Sequence, residues 1–258
     1  MNQYFFSEVT LLITHYNRSA SLERLLNSFA DLNCSFNEVI VSDDGSEEAH
    51  LTYIKQLQNR FKFKLLTSET NFGLGHNLNK GQKAATSALT LYVQEDFVPT
   101  SKFPGKFQNA VRLMDEDKDL DVVRFYAYYA YPYLRPFKQG YSEMLIKPFQ
   151  LNYTKIYAYS DHPHLRRSSF LSKFGDYAEG IKGDRTEYRM CVSFIQKKGK
   201  GLFYNDFGSL FTQVNSEVEP STMSRSNLSQ SRNLIIKVVR DIYRQAKYNY
   251  DILFFTQK

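Results

Sequence analysis

Over the first hundred residues, short apolar runs take turns with amphipathic stretches of helical period. "VTLLI" (residues 9–13) is a buried-strand run, and "SLERLLNSFADL" then sets Leu22, Leu25, Leu26 and Phe29 three and four residues apart, with Ser21 placed as N-cap. "EVIVS" is a second strand, followed by a helix carrying Leu51, Ile54 and Leu57. "FKFKLL" alternates as a third strand, "GHNLNKGQKAATSA" is a helix entered from a glycine-rich loop, and "LTLYV" is the fourth strand. Strands that are apolar along their whole length have no wet face. They predict an α/β fold: a mostly parallel central sheet with helices on both faces. Ligands of such sheets gather outside the carboxyl ends of the strands.

Those ends are chemically loaded. "THYN" (Thr14 to Asn17) follows strand one, "SDDGS" (Ser42 to Ser46) follows strand two, and "QED" (Gln94, Glu95, Asp96) follows strand four. Two adjacent carboxylates at the end of an apolar strand need either an opposite charge or a turn into water. Neither G-x-G-x-x-G nor G-x-x-x-x-G-K follows strand one, which disfavours a dinucleotide enzyme and a P-loop NTPase.

A chain of 258 residues buries a full core and fits one large domain with an elaborated second half. Cys34 and Cys191 follow no metal spacing and are too few for a disulfide framework, so a reducing, cytoplasmic setting is expected. The N-terminal apolar run is too short for a signal peptide, and no segment approaches the roughly 20 apolar residues that span a bilayer. The chain is expected to be soluble or to lie on a membrane. A net charge of +6 permits anionic partners without requiring them. No nucleic-acid motif is present, and no nucleic-acid partner is expected.

Beyond residue 100 the pattern loosens. A helix is expected near Lys106 to Met114, then the strand "DVVRFYAYY". The stretch "RFYAYYAYPYLRPF" alternates like strands of an irregular sheet, and core packing is the commoner cause of such an aromatic bias. Two helices and a strand are expected between Asp161 and Asp206. The terminal segment puts Leu234, Ile235, Val238, Ile242 and Tyr243 on one helical stripe, expected to pack on the domain. Its Arg232, Lys237, Arg240, Arg244 and Lys247 outnumber Asp241 and Asp251, a pattern that also suits anionic lipid. In "DHPH", His162 and His164 lack a third ligand and do not make a zinc site.

"VTLLITHYNRSASLERLLNSF", "NEVIVSDDGSEE", "NFGLGHNLNKGQKAA" and "LYVQED" occur in the order and spacing of the family 2 glycosyltransferases, which the chain resembles over residues 9–96. The resemblance implies a GT-A (Rossmann-like) fold, with residues 1–100 as the nucleotide-sugar-binding half. Residues 101–224 would be an irregular acceptor-binding and catalytic half of the same domain, and 225–258 a C-terminal amphipathic helix. It further implies a metal-dependent, inverting hexosyltransferase of surface polysaccharide biosynthesis. The partners would be a nucleotide-diphosphate sugar and a glycan or lipid-linked acceptor, with peripheral contact at the inner face of the cell membrane.

On this resemblance Thr14, Tyr16 and Asn17 line the donor pocket, Asp44 accepts from the base and Asp43 orients the loop. Asn71, Gly73 and Asn79 bring backbone amides and a helix N-terminus toward phosphate. Asp96 would hold Mn2+ or Mg2+, with Glu95 and Gln94 as donor contacts, although Gln94 replaces the usual first Asp. Two carboxylates suffice for such an ion when phosphates and water complete its shell. Glu187 is expected as the base, with Asp184 second; His162, His164 and Arg166, with Arg167 beside them, are expected at the acceptor. Two other readings stay open: a degenerate, non-catalytic glycan- or nucleotide-binding domain, prompted by Gln94, and a sugar nucleotidyltransferase, for which "THYNRSAS" lacks the required glycine.

Overall fold

The structure, a computed structural model, describes residues 2–215, residue 219 and residues 234–255, with side chains of the last helix from residue 239 onward. The chain runs β1 (Tyr4–His15), α1 (Ser19–Asp31), β2 (Cys34–Asp43), α2 (Glu48–Leu57), β3 (Lys64–Leu66), α3 (Leu74–Ala84) and β4 (Leu89–Gln94). It continues through β5 (Phe97–Pro99), α4 (Phe103–Glu116), β6 (Val122–Arg124), β7 (Leu134–Pro136), β8 (Tyr141–Met144) and β9 (His164–Arg167). The last elements are α5 (Phe170–Phe174), α6 (Gly183–Gln196), β10 (Gly201–Tyr204), β11 (Phe211–Gln213) and α7 (Leu234–Phe254).

Nine strands form one sheet in the order β3-β2-β1-β4-β9-β6-β10-β8-β7, and β11 pairs with β5 apart from it. The four strands foreseen in the first hundred residues are parallel neighbours. β9 lies antiparallel between β4 and β6, so the sheet is mixed beyond that point. Successive side chains of a strand point to opposite faces. Leu11, Ile13, Val41, Leu91 and Val93 therefore join Leu22, Phe29, Phe103 and Phe107 in one core, and Leu12, Ile40 and Tyr92 join Leu78, Phe170 and Phe194 in the other. Each fully buried side chain of this kind stabilises the fold by about 1.5–3 kcal/mol.

Several boundaries differ from expectation. The third strand keeps only residues 64–66, and α3 stops at Ala84. Ser21 lies inside α1, where its hydroxyl and backbone N–H donate to Glu219 Oε2, the amide at 3.0 Å; Arg18 occupies the cap position. The strand at 122 ends at Arg124, after which Phe125 N donates to Pro163 O and the aromatic stretch runs on as loop until β7 at Leu134–Pro136. Between Asp161 and Asp206 there are two strands rather than one. In α7, Ile242 and Tyr243 of the expected stripe are 65% and 64% exposed, whereas Ile252 is buried and Tyr248 packs partly against the core. Arg232 lies outside the described residues, as do the side chains of Leu234, Ile235, Lys237 and Val238. Among the described residues, no helix is long and apolar enough to cross a membrane.

The site depends on close backbone approach between α3 and the loop before α6. A Cβ on Gly75 would stand 2.2 Å from Ala178 O, and the contact is with backbone that cannot swing away. Gly75→Ala is expected to destabilise the fold by about 1–3 kcal/mol, read as a lower denaturation midpoint with unchanged denaturant slope.

Candidate functional site

The carboxyl ends of β1, β2 and β4 lie level, because Thr14 pairs with Ser42 and Gln94 and His15 pairs with Asp43. They open into a cavity of about 1000 Å³ whose far side is built from the loops after β6 and before β9 and from the start of α6.

Asp43 builds the floor. Its carboxylate accepts from Gly45 N (3.1 Å) and Ser46 N (3.0 Å) and meets His15 Nδ1 at 2.7 Å. Arg18 N donates to His15 Nε2 at 3.1 Å, which makes Nδ1 the protonated nitrogen and a donor to Asp43. Burial alone would raise the Asp43 carboxyl, but hydrogen bonds from His15 and Ser46 hold it below its ordinary value. Asp44 lines the cavity and accepts from Phe72 N (3.2 Å) and Gly73 N (2.8 Å), tying the β2 end to the loop that starts α3. Gly73 has φ +91°, a conformation that only glycine adopts without strain, and it opens α3 directly onto the cavity.

The two carboxylates after β4 are buried, and both face a cation. Arg18 Nη1 lies 3.3 Å from Glu95 Oε1 and 3.5 Å from Asp96 Oδ2. Burial, with Asp96 alongside, pushes the Glu95 carboxyl up to about 8, while Arg18 draws it back. Asp96 Oδ2 also accepts from Gln213 Nε2 at 2.8 Å, whereas its Oδ1 is buried with no partner among the described residues. An orphaned carboxylate oxygen in a polar cavity fits a divalent cation that takes one protein ligand and completes its shell with phosphate and water. No group of three or more His, Cys, Asp or Glu suited to a metal occurs among the described residues, so an ion here would rest on Asp96 with phosphate and water.

Opposite stands a second charged group. Glu187, in the second turn of α6, lines the cavity together with Asp161, Arg124 and Asp184. Burial first and Asp161 next push the Glu187 carboxyl up to about 8, against the pull of Arg124. Asp161 is raised to about 7 by burial, against Arg166 and Tyr159, and neither of its buried oxygens accepts a well-formed hydrogen bond. Arg124 is held by Tyr157 O and Ser160 Oγ and stacks 5.4 Å from the Phe203 ring. Tyr128, Tyr129 and Tyr157 complete this wall, with Tyr129 78% exposed.

The cavity thus gathers Thr14, Tyr16, Asp44, Asn71, Gly73, Gln94, Glu95, Asp96, His162, Asp184 and Glu187 from the residues singled out in the sequence. Five others stand behind it. Asn17 (φ 51°) accepts from Glu47 N at 2.8 Å and shapes the turn, and Asp43 is fully engaged as described. Asn79 is buried on the inner side of α3, pairing with Tyr177 backbone and Glu179. The expectation that His164 and Arg166 contact an acceptor is corrected: both are fully buried on β9. His164 packs on the Tyr92 and Tyr159 rings, and Arg166 Nε donates to Gln82 Oε1 at 2.7 Å with its guanidinium among Tyr92, Phe170 and Tyr177. Arg167 donates to carbonyls at the end of α4. His162 reaches the cavity, but burial, helped by Arg124, lowers its ring to about 3, so it is a neutral group there. Sequence reasoning missed Arg18, Asp161 and Arg124. Arg18 stands just ahead of the expected cap Ser21 with nothing in its neighbours to mark it, and Asp161 stood only as a neighbour of histidines; the pairing of β9 with β4 brings Asp161 to the sheet edge.

Solved structures with this sheet include S. aureus TarS residues 1–349 in complex with UDP-GlcNAc (17% identical, TM-score 0.60, covering 96% of this chain and 73% of that one). Another is the mannosyltransferase PcManGT from Pyrobaculum calidifontis in complex with GDP-Man and Mn2+ (15% identical, TM-score 0.58, covering 95% and 64%). The fold is therefore that of the GT-A glycosyltransferases. The family model described as "Glycosyl transferase family 2" matches residues 10–174, and the chain belongs to that family. Relatives include a cholesterol galactosyltransferase of Borreliella burgdorferi, 24% identical over 122 residues that cover 47% of this chain and 34% of that protein. A poly-beta-1,6-N-acetyl-D-glucosamine synthase of Staphylococcus epidermidis is 28% identical over 90 residues, covering 35% and 22%. The matched stretch thus spans about a third or less of these curated relatives.

Proposed function

We propose that the protein is an inverting glycosyltransferase that moves a sugar from a nucleotide-diphosphate donor to a hydroxyl of a glycan or lipid-linked acceptor. The observation that carries this reading is the opposition, across one cavity, of the Glu95–Asp96 pair and the raised carboxyl of Glu187. Thr14, Tyr16 and Asp44 would take the base and ribose, and Asn71, Gly73 and the start of α3 would meet the phosphates. Asp96 would hold Mn2+ or Mg2+, which supplies Lewis-acid stabilisation of the departing diphosphate. Glu187 takes the proton of the attacking hydroxyl as that oxygen bonds the anomeric carbon and the bond from that carbon to the diphosphate breaks.

The acceptor would lie against Tyr128, Tyr157 and His162, where apolar ring faces and polar edges suit a sugar. A lipid-linked acceptor is supported by α7, whose Val239, Ile242, Tyr243 and Phe254 are exposed beside Arg244 and Lys247. Those residues would give peripheral contact with a membrane. A role in surface polysaccharide assembly accords with the name of the N-acetylglucosamine polymer synthase relative.

Thermal denaturation with UDP, GDP and their sugar conjugates, each with and without Mn2+, tests the donor site. One nucleotide should raise the midpoint, since a ligand at 100 times its Kd adds about 2.7 kcal/mol to stability. No shift with any of them would move the reading to a non-catalytic domain.

A further inference from the structure

The Arg18 guanidinium sits against the two carboxylates after β4, one of which, Asp96, would hold the divalent ion. It is buried, and Nη1 faces both Glu95 and Asp96 at 3.3 and 3.5 Å. Nη2 donates to two neutral oxygens, Asn215 Oδ1 at 2.9 Å and the Glu219 carbonyl at 3.2 Å. Nε is buried and donates to nothing among the described residues. The backbone of Arg18 is fixed independently by His15, so the side chain can turn without unravelling the start of α1.

A guanidinium in this position has two consequences. First, it repels a metal ion approaching Asp96, because two cations would share one carboxylate within a few ångströms and in a poorly hydrated setting. Second, it carries an unused donor and a planar fork that matches phosphate oxygens, a geometry lysine does not offer.

We propose that Arg18 is a resident cation of the diphosphate site: it pairs with the Glu95–Asp96 group when no donor is bound and turns its fork onto the donor's diphosphate on binding. This rests on the donor-site reading above and adds that the protein binds a nucleoside diphosphate without a divalent ion. It also makes Arg18 the group that holds free metal affinity down until the diphosphate draws it away.

The test uses the full chain as wild type, Arg18→Met and Arg18→Lys, with melting curves to confirm folding. Calorimetry with UDP and with GDP in EDTA should show binding of at least one by wild type. Arg18→Met should lose about 10–100-fold of that affinity, the range for charged hydrogen bonds, and Arg18→Lys should lose less. Electron paramagnetic resonance of Mn2+ without nucleotide should show tighter binding to Arg18→Met than to wild type. Equal nucleotide affinity in EDTA for wild type and Arg18→Met, or equal Mn2+ affinity, would overturn the proposal and leave the donor site standing. No nucleotide binding by wild type with or without Mn2+ would overturn the donor-site reading itself, and this inference with it.

Discussion

Glu187→Gln is expected to lower the turnover of sugar transfer by about 10²–10⁴-fold, the range for loss of a positioned base, while nucleotide binding stays within experimental error. The amide keeps the shape and hydrogen-bonding reach of the side chain but cannot take a proton. The pH profile separates this role from a structural one. Burial and then Asp161 raise the Glu187 carboxyl to about 8, so transfer by the wild type should climb as pH rises toward 8 and level off above it. Stability carries the opposite sign. The unfolded chain releases this proton near 4.5 and the folded chain holds it to about 8, so folding takes up a proton between those values and Glu187 weakens the fold as pH rises through them. Glu187→Gln should remove the alkaline climb and lessen the loss of stability, of which Glu95 and Asp161, also raised, keep their own share. Asp184→Asn, at an exposed position in the first turn of α6, should keep the alkaline climb; if it abolishes transfer and Glu187→Gln does not, the base is misassigned.

Asp96→Asn is expected to abolish Mn2+-stimulated transfer, a loss of about 10²-fold or more for one electrostatic partner of a leaving group. The buried, unpartnered Oδ1 is the atom offered to the ion, and an amide there brings no charge to hold it. The fold should tolerate the change, because Gln213 can still pair with the side chain and Val214 N bonds the Asp96 carbonyl at 2.8 Å. Isothermal titration of Mn2+ in the presence of the nucleotide found by thermal shift reads this directly. Unchanged metal affinity would place the ion elsewhere.

The first four strands and three helices were legible because their periods are local: Leu22, Leu25, Leu26 and Phe29 can only face one way on a helix, and Leu11 to Ile13 leave no wet side for a strand. The β4 end was legible for the same reason, since Glu95 and Asp96 follow an apolar run that must stop there. The second half was not. "RFYAYYAY" alternates like a strand, but its backbone turns away after Arg124 to wall the cavity, which no local pattern reveals. The family resemblance put His164 and Arg166 at an acceptor; on β9 they fall between β4 and β6 and go inward, leaving Asp161 and His162, just ahead of the strand, to line the cavity. Arg18 was hidden by its place in sequence, since 77 residues separate it from the carboxylate it meets.

The insertion of β9 also bears on how such a chain can diversify. A strand contributed by residue 164 onward is hydrogen-bonded on one side to β4 and on the other to β6, so the nucleotide-facing and far portions share backbone ladders. Exchanging everything after residue 100 for the corresponding part of another protein would strip the edge of β4 and demand a new strand of matching register. Recombination of whole modules is therefore a poor route to new acceptors. Point changes and length changes in the loop between β6 and β7 leave every ladder intact, and evolution and engineering alike have their freest hand there.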